Sequence, residues 1–195
     1  ARGSAGLPPI TPEMVKKGAE EIKKDTALGC DLFDTWMLKS MKGWVLENWA
    51  MLLNNVEKAM TWPMHILLNI IVLMGKPAGG VRPIALMPML YRLWTKIRKS
   101  YLAEWEELNK GPWDVAVKGS SALRAAILSL FSDEVASLTE IEILKILWDM
   151  GKFYDNIDIK LLIAKAKELK YTIVIFTIGL VMHMAPRTLK AHEHF

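Results

Sequence analysis

Two runs rich in β-branched and aliphatic residues, 66–73 and 81–87, flank the loop Gly75-Lys76-Pro77-Ala78-Gly79-Gly80, and few folds accommodate that order. Glycines supply the positive φ angles of a turn, so the two runs are expected to close as a β-hairpin. Pro83 lacks an N–H and suits an edge position in the second strand. Pro88 then opens a helical pattern over 88–109, where a missing N–H at the first turn costs little. Helices are also expected over 13–24 and 33–60, because Trp36, Leu38, Trp44, Val45, Trp49, Leu52 and Leu53 recur near helical spacing. Residues 29–31 separate these two helices.

Ser120 and Ser121 can cap a helix over 122–135. Residues 141–148 read as a buried central strand that ends in Asp149. Asp158 is placed to cap a helix over 159–169, and a last apolar segment covers 173–184. The expected class is α+β and rich in helix: a set of helices with one hairpin, and the start of a second sheet.

Composition decides what kind of core this is. In 195 residues, 52% are apolar and 24% charged, which is globular rather than disordered. The longest apolar runs, 66–74 and 173–185, are broken by Asn69, Gly179 and His183, and fall short of the roughly 20 residues a bilayer requires. They read as core, and no membrane is expected. Residues 1–11 carry Pro8 and Pro9 but no signal-like apolar stretch, and the chain does not begin with Met, so it reads as an internal piece. Cys30 is the only cysteine, which fits an intracellular compartment, nucleus or cytoplasm.

The net charge of +4 is unevenly spread. Lys76, Arg82, Arg92, Lys96, Arg98 and Lys99 lie in 76–103 with no acidic residue among them. A field of that sign attracts the phosphates of a nucleotide or a nucleic-acid backbone, unless it is simply a solvated helix face.

The densest chemistry is ILKILWDMGKFYDNI, residues 143–157. An apolar strand there delivers Asp149 at its end, with Tyr154 five positions on. A carboxylate at a sheet rim can hold a divalent ion, as two-metal phosphoryl transfer requires. Without further context the same residues are a strand end followed by core aromatics. Asp155, Asn156 and Asp158 suit capping, and His65 and His183 suit the core. His192 and His194 sit in a tail without matching ligands.

Three segments together resemble reverse transcriptases of the group II intron and non-LTR retroelement kind. Residues 143–157 resemble the first palm motif. GKPAGGVRPIALMPMLYRLW, residues 75–94, is similar to the fingers hairpin with its Arg-Pro-Ile sequence. KKDTALGCDLFDTWMLK, residues 23–39, resembles the segment with a Gly-x-Asp turn. The resemblance runs from about Lys16 onward in the family's order and spacing, although Trp148 is bulkier than usual before the aspartate. It implies a short extension over 1–12, fingers over 13–140 and a partial palm over 141–195.

The roles it implies are Asp149 as catalytic ligand of Mg2+, Lys76 and Arg82 on the triphosphate, and Tyr154 as the gate against a 2′-hydroxyl. Arg92, Lys96, Arg98 and Lys99 would meet nucleic acid. The partners would be an RNA template, a DNA primer and deoxynucleoside triphosphates, and the activity RNA-directed DNA synthesis. The family's Gln-Gly turn and its adjacent pair of palm aspartates are missing here. The chain alone is therefore expected to be inactive, and an uncovered palm face would favour self-association. Two other classes stay open: a nucleic-acid-binding relic without chemistry, and a helical protein-interaction domain.

Overall fold

The structure is a computed structural model that describes residues 7–111, 114, 119, 121–145 and 156–190. It is an α-rich α+β fold. Packing groups the chain into two units, 1–102 with 170–195, and 103–169. These limits differ from the division at 140/141 that the resemblance implies.

In the first unit, α1 (Pro12–Glu20) starts at Thr11, whose hydroxyl accepts the Met14 N–H, and Pro12 fills the first turn. The long helix expected over 33–60 is two helices, α2 (Thr35–Ser40) and α3 (Trp44–Ala59). Gly43 between them has φ +51, a conformation open to glycine at little cost, so the chain turns where the apolar period alone suggested continuity. The hairpin forms as β1 (Asn69–Gly75) and β2 (Val81–Leu86), antiparallel, with Ile70 opposite Leu86 and Gly75 opposite Val81. Ile66, expected to begin the first strand, instead ends a short 3-10 turn over 64–66, and β1 starts three residues later. Pro83 faces Leu73 from the outer strand, where a missing donor is tolerated.

Helix α4 (Met89–Asn109) follows the hairpin directly. Further along, α7 (Ile173–His183) leads into β3 (Arg187–Leu189), which pairs parallel to β1 and completes a sheet of order β2-β1-β3. The core lies among α1, α3, α4 and α7, around Val15, Leu53, Met89, Leu93 and Ile178. Polar groups inside it are spent on fixing elements. The Trp62 indole donates to the Ile178 carbonyl at 3.1 Å, and the Asn69 amide donates to the Met182 carbonyl at 2.9 Å. From residues 7–12, expected to be an extension, Ile10 reaches this core: it is buried, and its N–H and carbonyl are both held by the Asn54 side chain.

In the second unit, α5 (Ala122–Leu138) is capped by Ser121 and α6 (Ile159–Glu168) by Asp158, both as expected. The strand expected over 141–148 is not seen in its described part. Residues 141–145 have no regular structure and are exposed, Leu144 by 85%. A strand needs a paired ladder, and among the described residues none lies alongside. Lys145 is instead bound to Asp133 and Ser129 of α5.

Candidate phosphate-facing site

The hairpin turn is closed by the Lys76 N–H donating to the Gly80 carbonyl and the Gly79 N–H donating to the Lys76 carbonyl, each at 3.0 Å. Gly79 and Gly80 have φ +88 and +82, so the turn depends on glycine. Arg82 lies opposite Met74. Because cross-strand partners share a face, Met74 and Arg82 fall on one side of the hairpin, and Lys76 opens the turn just beyond the end of β1. Burial fades along β1 from Asn69 toward the turn, and both cations are exposed. Two exposed cations thus stand at the turn end of one hairpin, an ammonium that is a point charge and a forked guanidinium.

On α4, Arg92, Lys96 and Lys99 recur at helical spacing and form one stripe. Arg92 is half-buried and donates to the Ala27 carbonyl at 2.6 Å. Burial lowers its pKa, and the charge of Asp31 works in the opposite direction. Asp31 also accepts the Leu90 N–H at 2.9 Å, capping the start of α4. The Gly-x-Asp turn is therefore a brace. Gly29 packs so tightly that a Cβ there would lie 2.5 Å from the Met87 carbonyl oxygen, which only glycine avoids. Burial and the neighbouring Asp31 raise the pKa of the Cys30 thiol, which disfavours a reactive thiolate.

Arg98 does not belong with the other cations. It is fully buried, pairs with Glu57 at 2.5 Å, donates to the Pro8 carbonyl at 2.9 Å and lies over the Tyr101 ring. Glu57 also accepts the Trp94 indole N–H at 2.8 Å. The group ties α3, α4 and the segment at Pro8 together, and leaves Arg98 no access to phosphate in solvent. The signal was present in the sequence: Leu90, Trp94, Ile97 and Tyr101 share Arg98's side of the helix, opposite Arg92, Lys96 and Lys99.

Asp149 and Tyr154 lie outside the described residues, and so does Trp148. The structure places Lys76 and Arg82 on the same hairpin, one in its turn and one in β2, sets Arg92, Lys96 and Lys99 along one side of α4, and buries Arg98 against Glu57. Among the described residues no group of three or more His, Cys, Asp or Glu side chains could hold a metal ion, so Mg2+ remains an expectation attached to Asp149. No described helix is long and apolar enough to cross a membrane. No protein-family model and no curated protein matches the chain.

Proposed function

We propose that this chain is the fingers and first palm segment of a reverse-transcriptase-type polymerase, and that its hairpin contacts phosphate. The observation that supports this most is the pair Lys76 and Arg82, exposed at the turn end of a glycine-turned hairpin that leads straight into a basic helix. Cations held on such a ribbon neutralise phosphate charge without having to be reorganised for each encounter. In the complete protein, Mg2+ at Asp149 would supply charge neutralisation at the reacting phosphate. Tyr154 would exclude a ribose hydroxyl by clash. A second reading, a nucleic-acid binder without chemistry, is favoured by the stripe of Arg92, Lys96 and Lys99, which needs no metal.

The test is fluorescence anisotropy of the purified chain with a labelled primer-template duplex, repeated across salt concentrations. Affinity should fall as salt rises, and Lys76→Ala and Arg82→Ala should each reduce the logarithmic salt slope by about one. Binding indifferent to salt, or slopes unchanged in both variants, would overturn the phosphate assignment. Polymerase and relic are then separated downstream of Phe195 in the gene, where a Gln-Gly turn and paired aspartates either follow or do not.

A further inference from the structure

We propose that α5 is the contact face of a twofold dimer of this chain, with the α5 helices of two copies packed antiparallel. The proposal concerns the unit 103–169 alone and is independent of the phosphate assignment. Helix α5 is apolar around most of its circumference, and its described side chains are exposed except for Ala136, which is buried, and Ala125, which is half-buried. Leu123, Ile127, Leu130, Phe131 and Leu138 fall within an arc of about 100° on a helical projection, and all of them are exposed. Beside this stripe, Phe131, Leu128 and Val135 line an open groove of about 400 Å³ together with Ile141 and Ile143. Such a surface is an interaction site, since soluble monomers rarely leave so continuous an apolar face in water.

What selects a second copy as the occupant is the charge pattern. Arg124 borders the stripe near one end and Glu134 lies in it near the other. Asp133 points to a different side and is paired with Lys145, whereas Arg124 and Glu134 have no ion-pair partner among the described residues. A surface carrying one cation and one anion at opposite ends complements itself when rotated by a twofold axis. Setting Arg124 against the partner's Glu134 fixes the register. It brings Ile127 opposite the partner's Phe131, and Leu123 opposite the partner's Val135. Parallel helices would instead oppose like charges at both ends.

Sedimentation velocity of the 195-residue chain between about 1 and about 100 µM tests this. A monomer–dimer equilibrium is expected. Leu130→Lys should abolish it across that range while leaving the circular dichroism spectrum unchanged, because Leu130 touches no core. Arg124→Glu should raise the dimer dissociation constant about tenfold, since it turns two attractive pairs repulsive. Adding Glu134→Arg to that variant should restore it. In a parallel dimer neither charge change would matter. A chain that is monomeric throughout, association that survives Leu130→Lys, or a double variant that fails to recover would each overturn the proposal.

Discussion

Helix α4 and helix α5 are both long, and both are rich in leucine and aromatic residues, yet they stand in opposite environments. The first two-thirds of α4 turn Leu90, Leu93, Trp94 and Ile97 into a core built with α1, α3 and α7. Its cations line the other side, apart from Arg98. Helix α5 has no such segregation. Its apolar residues are spread around the circumference, and among the described apolar side chains of 103–169 only Ala136 is buried. Apolar content therefore does not decide whether a helix is buried. Burial requires a face that neighbouring elements can cover, and the described residues of 103–169 cover little of α5.

The largest effect expected from this difference is at Arg98, where a charge sits inside the α4 core. Removing one partner of a buried ion pair strands the other, so Arg98→Ala should destabilise the chain by about 3–5 kcal/mol in urea unfolding. Arg98→Met with Glu57→Gln should recover at least half of that, because the pair's own net contribution is small and the new amide oxygen would still accept the Trp94 N–H. A single variant as stable as the parent would mean that α4 is not seated as described.

A comparison of two leucines tests the contrast more directly. Leu53 is 0% exposed in the core, and Leu130 is 67% exposed on α5. Leu53→Ala should cost about 2–5 kcal/mol through lost burial and the cavity left behind. Leu130→Ala should change the stability of a dilute sample by less than about 0.5 kcal/mol. Equal costs at the two positions would erase the distinction between the regions.

How much of this was legible in the sequence follows the range of each signal. The hairpin and the start of α4 were readable because glycine and proline act on their own backbone, within a few residues of where they stand. The caps at Ser121 and Asp158 are local in the same sense. Glu57 and Arg98 are 41 residues apart, so pairing them takes the packing of α3 against α4, and charge counting put Arg98 with the wrong neighbours. Residues 141–145 failed as a strand for a similar reason. Their apolar character is local, but a strand is completed by another segment, and here α5 takes Lys145 instead. Gly43 could have been weighed against the apolar period around it, and the period was the weaker guide. Of the expected site, Lys76 and Arg82 lie exposed on the expected hairpin, while Asp149 and Tyr154 fall outside the described residues.

The smallest effect belongs to Tyr91, which lies between Trp62 and Trp94 with ring centroids 5.7 and 5.9 Å away. Burial raises the pKa of its phenol, and the nearby Tyr171 adds to the rise. The folded state therefore holds this proton more tightly than the unfolded chain, whose tyrosines ionise near pH 10. Below that pH both states are protonated and the contribution to stability is fully present. As pH climbs through the unfolded value toward the folded one, the unfolded chain releases its proton first, and stability falls. Urea midpoints measured from about pH 8 to about pH 11 should thus decline more steeply for the parent than for Tyr91→Phe, which keeps the ring packing and removes the titrating group. Lysines and the other tyrosines titrate in both proteins, so the difference between the two curves isolates Tyr91. Parallel curves would mean that its hydroxyl reaches solvent, and that the core beneath α4 is more open than its aromatic packing indicates.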